Sequence, residues 1–333
     1  MRRSGRAAAA VRPFRFCAGP GRLPDRAALV EAGRTIERLG YATFALPDHF
    51  TMPFAPLLAL QAVADATSTV RVTQTVLNQD FRHPAVLAKE LATLDVLSEG
   101  RLEIGIGAGW MRAEYEQAGI AFDSAPARIE RLEEVVAVLK GLFAEGPFTF
   151  GGKHVTIAAL DGTPKPVQRP HPPIMIGGGG RGLLSAAGRQ ADIVQILPRP
   201  LGGAGTGSTG AGAGGPRPFT ADAYEERIGW IREAAGDRFD DIELGAQLLE
   251  LAITDDPDER FEVFFQRFGR RLGDAVPSRD ELRASPLLAI GTLDEVCERL
   301  LLTRERFGIS YLMAPIGARP ESLAPVIERL SGR

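Results

Sequence analysis

Asp48 and His49 stand side by side in Pro47-Asp48-His49-Phe50. An imidazole exchanges protons near neutral pH, and a neighbouring carboxylate can orient it or a bound ring. Asn78 follows Thr75-Val76-Leu77. One amide that both donates and accepts suits a heterocyclic ring edge, and a turn former would account for it as well. Gly107-Ala108-Gly109-Trp110 is nearly bare of side chains before the tryptophan, so backbone there can approach a flat ligand closely. Trp110 can stack on that ligand or wall a substrate pocket; a tight turn with a packed Trp is the plainer alternative. Gly177-Gly178-Gly179-Gly180-Arg181-Gly182 leads into a helix. Exposed amides at a helix N-terminus attract anions and Arg181 adds positive charge, so this run reads as a phosphate turn.

The glycine run formally satisfies G-x-G-x-x-G, the dinucleotide fingerprint. It falls far from the N-terminus, and no acid follows ~20 residues on at a strand end. Asp192 comes before the next strand rather than after it. A phosphate cradle inside a barrel is therefore preferred to a Rossmann turn. The chain has no H-E-x-x-H, C-x-x-C, P-loop or G-x-S-x-G motif. Its four histidines, at 49, 83, 154 and 171, show no metal-ligand spacing. His83, just before a helix-opening Pro84, reads as a satisfied loop residue.

These residues need elements to hold them. Phe14 to Gly19 is a short apolar run bounded by Pro and Gly, hence a strand. Leu29, Ala32, Ile36 and Leu39 recur at helical spacing, closed by Gly40. Further strands are predicted at 43–46, 71–76, 102–106, 174–176 and 193–196, within 244–253, and at 309–313. Helices are predicted at 56–66, from Pro84 to Gly100, around Ile129 to Phe143, and at 181–190, 221–235, 259–272, 293–307 and 323–330. A small hairpin should turn at Gly151-Gly152. Eight strands alternating with helices argue for parallel βαβ units. The count and spread favour a closed (β/α)8 TIM barrel with insertions over an open doubly wound sheet. In a barrel, chemistry sits just after the strands, which is where Asp48, His49, Asn78, Trp110 and the glycine run fall.

The 333 residues are 44% hydrophobic and carry 39 basic against 42 acidic side chains. A net charge of -3 argues against an electrostatically driven nucleic-acid or membrane-surface binder. No apolar run approaches the ~20 residues that span a bilayer. Cys17 and Cys297 make neither a disulfide framework nor a metal pattern, so a cytoplasmic location is expected. Residues 1–12 read as a disordered tail, and 13–333 as a single barrel domain. The stretch 201–218, LGGAGTGSTGAGAGGPRP, cannot bury apolar area and should be mobile, as an inert linker or as a lid.

From Phe14 to about Leu330 the chain resembles the bacterial luciferase-like superfamily, and within it the oxidoreductases that use the deazaflavin coenzyme F420. GYATFALPDHF, VRVTQTVLNQDFRHPAVLAKELATLDVLSEGRLEIGIGAGWMRAEYEQAGI, PPIMIGGGG and ADIVQI carry the resemblance, through their order and spacing together. It implies a (β/α)8 barrel. It also implies that Asp48 and His49 lie by the deazaflavin ring, with His49 in proton transfer or holding the reacting centre. Thr75-Val76 matches a non-prolyl cis peptide that bulges behind the ring. Asn78 matches a ring-edge contact, and Gly177 to Gly180 match the phosphate-binding turn. One departure matters: sugar-phosphate dehydrogenases of this kind carry a Glu where this chain has Trp110. Its loss argues against sugar-phosphate oxidation.

The resemblance thus implies hydride transfer through C5 of F420 and a small-molecule substrate, with reduction of a polarised C=C, C=N or C=O bond as the expected direction. A homodimer is expected. An FMN-dependent monooxygenase on the same barrel is the alternative, and a non-catalytic flavin-binding barrel is another.

Overall fold

The computed structural model describes residues 11–21, 23–198, 218–272 and 276–333. Residues 201–217 of the glycine-rich stretch and the first ten residues of the expected tail lie outside them. Arg12 is described, and it donates to the Asp240 carbonyl at 3.2 Å.

Eight parallel strands close on themselves. They are β1 (Arg15–Ala18), β2 (Thr43–Leu46), β3 (Arg71–Gln74), β4 (Leu102–Gly107), β5 (Ile174–Gly178), β6 (Ile193–Ile196), β7 (Glu243–Gln247) and β8 (Ile309–Met313). Each pairs with the next, and β1 pairs with β8 through Arg15↔Tyr311, which completes the (β/α)8 barrel. One strand reading needs correction, and one segment holds more than its expected strand. The third strand stops at Gln74, and after a break at Thr75 and Val76 the pair Leu77–Asn78 resumes pairing with β4. The 244–253 segment is two strands. Beyond β7, Glu250–Ile253 leaves the barrel and pairs with Leu288–Gly291, which sequence patterning missed.

The outer ring consists of α1 (Arg26–Arg38), α2 (Pro56–Ala66), α3 (Pro84–Leu97), α4 (Arg112–Ala118), α5 (Ala125–Phe143), α6 (Arg181–Gln190), α7 (Ala221–Ala235), α8 (Pro257–Leu272), α9 (Arg279–Arg283), α10 (Leu293–Phe307) and α11 (Ala324–Leu330). Local chemistry sets their starts. Asp25, Ser124 and Thr220 each accept a backbone N–H as N-caps, and Thr292 with Glu295 forms a capping box ended by Gly308 in the left-handed region. His83 caps α3 by accepting from the Ala85 N–H at 3.3 Å, so it is the satisfied loop residue expected.

Inside the barrel a small apolar layer holds Cys17, Ala45, Met175, Ile193 and Tyr311. Towards the N-terminal ends of the strands the interior is ionic. Buried Glu103 accepts from Arg15, from Arg71 Nε at 2.7 Å and from the Tyr311 hydroxyl at 3.0 Å, while Arg15 also binds Glu243 at 2.7 Å. Paired charges fill that end, and the opposite mouth holds the residues singled out above.

Candidate active site at the barrel mouth

His49 follows β2, and its Nδ1 lies 2.8 Å from Glu114 Oε2 on α4. The other carboxylate oxygen, Oε1, accepts the Phe50 backbone N–H at 3.0 Å. Glu114 is only 4% exposed, so the carboxylate is fixed by both bonds in a largely dry setting. An ionised carboxylate accepts only, which places a proton on Nδ1 and leaves Nε2 for other work. The sequence analysis does not single out Glu114, whose partner lies 65 residues away. The available signal is its place four residues beyond Trp110. Trp110 is half exposed, and its ring meets the His49 imidazole edge-on with centroids 5.8 Å apart. The structure therefore brings both proposed catalytic residues together.

Asp48 and Asn78 meet as well, but largely through internal bonds. Arg82 Nη1 donates to Asp48 Oδ2 at 2.7 Å, and the same oxygen accepts the Asn78 backbone N–H at 3.1 Å. Asp48 thus clamps the end of β2 to the segment after β3. Asn78 Oδ1 accepts from the Asp80 N–H at 3.1 Å and lies 2.9 Å from the Tyr115 hydroxyl, which is also 2.8 Å from Asp80 Oδ2. Burial, then the Asp80 carboxylate, pushes the Tyr115 phenol well above its usual range, so it stays a donor.

The Thr75–Val76 peptide is cis, as the resemblance implies. The bare backbone at 107–109 has a different cause from the one expected. A Cβ on Gly107 would press to 2.6 Å from Val76 Cγ2, and one on Gly109, at φ +72°, would run into the Tyr115 hydroxyl. These glycines make room for protein atoms, and Ala108 between them is buried with its carbonyl accepting from Arg128 Nε at 3.1 Å.

Gly177 and Gly178 end β5, Gly179 links, and Gly180 is the N-cap of α6 with no side-chain cap bond. A Cβ on Gly180 would meet nothing within 4 Å. The first amides of α6 have no side-chain cap from Gly180, and they lie at the positive end of the helix dipole. Arg181 is less available than expected, since it is exposed and pairs with Glu233 of α7 at 3.3 Å. A second arginine, unremarked in the sequence, lies by the turn: buried Arg227 donates to the Gly179 carbonyl at 3.4 Å and to the Pro218 carbonyl at 2.7 Å.

A cavity of about 430 Å³ lies beside this mouth, between α3, α5 and the hairpin of Phe148–Gly151 and Thr156–Leu160. Asp80, Arg82, Asp123 and Arg131 line it, and their charges are mutually paired or held by Asp48. His49, Trp110 and the glycine turn are not among its walls.

The resemblance implies a deazaflavin or flavin at the mouth, and two features accommodate such a group. The uncapped start of α6 suits its phosphate. Gln195, 2% exposed on β6, has no partner for Nε2 or Oε1 among the described residues, which suits a polar heterocycle. Among the described residues no three His, Cys, Asp or Glu side chains are grouped to hold a metal. No helix among them is long and apolar enough to cross a membrane.

Residues 9–207 match the family described as luciferase-like monooxygenase. The FMNH(2)-dependent dimethylsulfone monooxygenase of Pseudomonas putida is 34% identical over 131 residues, 39% of this chain and 36% of that protein. The matched stretches span about a third to a half of such curated relatives, at 36%, 42% and 49% of their lengths. The coenzyme F420 dependent tetrahydromethanopterin reductase from Methanopyrus kandleri superposes with a TM-score of 0.73 at 20% identity, covering 97% of this chain and 99% of that one. An F420-dependent secondary alcohol dehydrogenase gives 0.70 at 18% identity, covering 96% and 98%. At these identities the structural likeness is one of fold.

Proposed function

The chain belongs to the luciferase-like monooxygenase family, and from that premise we propose that it is an F420-dependent oxidoreductase. In this reading a hydride passes between C5 of the deazaflavin and a small molecule, running as F420H2-dependent reduction of a polarised C=C, C=N or C=O bond. The observation that carries it is the His49–Glu114 pair at the mouth. Reduction of a polar double bond by hydride leaves a centre that must take up a proton, and an imidazole backed by a carboxylate is suited to deliver one.

When bound, the deazaflavin supplies hydride chemistry at C5. The chain's own residues do the rest. The first amides of α6 and the turn Gly177 to Gly180 would hold the phosphate. Val76 and the Gly107 to Gly109 backbone would wall the ring, and the Asn78 amide would meet it. His49 holds the mobile proton at Nε2, and Glu114 keeps the imidazole turned so that Nε2 faces the mouth. Trp110 walls the substrate side and excludes water. Asp48 acts through its clamp on Arg82 and the Asn78 backbone. A small-molecule substrate, a homodimeric assembly and a cytoplasmic location belong to the same reading.

A second reading is an FMN-dependent monooxygenase. It is favoured by the 34% identity to an FMNH(2)-dependent enzyme. Titration of the purified protein with oxidised F420 and with FMN separates the two. F420 should bind about tenfold tighter or more. Equal affinity, or tighter FMN, puts the monooxygenase first, and binding without turnover puts a non-catalytic barrel first.

A further inference from the structure

Gln195 sits on β6 between two glycines, in register with Gly177 of β5 and Gly245 of β7. Ile193, two residues earlier on the same face of the strand, belongs to the interior layer of the barrel. Gln195 is therefore the next interior side chain up towards the mouth. A Cβ on Gly177 would lie 3.3 Å from Val76 Cγ1 and 3.7 Å from Gln195 Cβ, so Gln195 adjoins both the phosphate turn and the bulge after β3. A Cβ on Gly245 would run into Gln195 Oε1. The two flanking glycines thus make the space in which the long side chain reaches across the interior.

A carboxamide in such a place ordinarily has partners, because desolvating an unpaired N–H or C=O is costly. Gln195 has none for either polar atom among the described residues, and it is 2% exposed. Gln74 differs in part, because its Oε1 accepts the Gly105 N–H at 3.3 Å while its Nε2 has no partner among the described residues; Gln195 lacks a partner for both atoms. If packing alone were needed, a leucine would fill the volume of Gln195 without that penalty.

We infer that Gln195 is a ligand-binding residue whose carboxamide pairs with the adjacent C=O and N–H of a cyclic imide. A carboxamide presents one donor and one acceptor side by side, the complement of that edge. The pyrimidinedione ring of flavins and deazaflavins carries such an edge, so the inference rests on the reading that a heterocycle of this kind occupies the mouth. It adds to that reading a side-chain contact, where the residues matched by family resemblance supply mainly backbone.

The test compares wild type with Gln195→Leu by cofactor fluorescence titration and by melting of the protein alone. The probes are oxidised F420, FMN and N3-methyl-FMN, which lacks the imide donor. For whichever of F420 and FMN the wild type binds, Gln195→Leu should weaken affinity about tenfold or more. The variant without cofactor should melt at the same or a higher temperature, because two unpaired polar atoms are gone. Where FMN binds, the wild type should disfavour N3-methyl-FMN, and the variant should lose that discrimination. Unchanged affinity in Gln195→Leu overturns the inference while the cofactor reading stands. So does a variant that melts well below wild type and binds as tightly, because the amide is then paired internally through water. If the variant does not fold, Gln195→Met is read in its place. If wild type binds neither F420 nor FMN, the cofactor reading itself fails and the inference falls with it.

Discussion

His49 Nδ1 and Glu114 Oε2 lie 2.8 Å apart across 65 positions of sequence. Glu114 is anchored by a second bond to the Phe50 N–H, so the carboxylate cannot swing away without breaking the turn that carries the histidine. Glu114 stands four residues beyond Trp110 in the chain and on the first turn of α4.

Glu114→Gln should lower turnover about 10- to 100-fold with KM changed only a few-fold, since it disturbs the orientation of His49 and leaves the binding surfaces alone. A merely structural glutamate would not affect the imidazole tautomer. The ¹⁵N spectrum of the labelled histidines should show His49 with its proton on Nδ1 in wild type and a mixture of tautomers in Glu114→Ala. The same tautomer in both proteins would refute the orienting role.

His49→Ala should reduce turnover ~10²–10⁴-fold and leave cofactor affinity within a few-fold. The ring and the phosphate are held elsewhere, so binding should survive. Near-normal turnover would make His49 a pocket wall and assign the proton to water.

Gly179→Asp sets a carboxylate beside the uncapped start of α6. Both its charge and its bulk oppose a phosphate, so cofactor affinity should fall ~100-fold with the melting temperature little changed. Unchanged affinity in a folded variant would place the phosphate elsewhere.

Gly109→Ala meets two obstacles, a φ of +72° and the Tyr115 hydroxyl. That hydroxyl bonds Asn78 and Asp80, so displacing it loosens the wall of the mouth as well. Denaturant unfolding should show a loss of about 2–4 kcal/mol. A loss under ~0.5 kcal/mol would mean that the loop relaxes freely.

Burial, and then the negative charge of Glu103, pushes the Cys17 thiol up to about 12. The native side chain therefore stays a neutral thiol across the physiological range. Raising the pH from 7 to 9 should not make it react with an aromatic disulfide reagent in folded protein, and unfolding should expose it at once. The sign for stability follows. The contribution of the neutral buried thiol is complete below the unfolded value near ~8.5 and is lost as pH rises towards about 12. Rapid labelling of Cys17 in native protein at pH 8, located by mass mapping, would contradict this.

Much of the fold was legible in order along the chain. Most barrel strands are short apolar runs punctuated by Gly or Pro, β3 being an exception with RVTQ, and the main helices repeat apolar positions at 3–4 residues, because both faces of a parallel strand and one face of each helix must be buried. The locations of His49, Asn78, Trp110 and the glycine turn followed from the rule that barrel chemistry sits after the strands. Departures came where a local pattern serves a distant partner. The strand expected within 244–253 is β7, and a second strand there, Glu250–Ile253, pairs outside the barrel with Leu288–Gly291.

What tertiary structure alone decided is which polar groups meet. Sequence supplied the residue types, Asp48 beside His49 and a glycine run before a helix, since adjacency and turn chemistry are local. It did not supply Glu114 as the partner of His49, Arg82 as the partner of Asp48, Glu233 beside Arg181 or the unpaired carboxamide of Gln195. Those pairings form between side chains brought in by different strands and helices. A hydrogen bond depends on separations of a few tenths of an ångström, which barrel closure fixes and residue spacing does not encode.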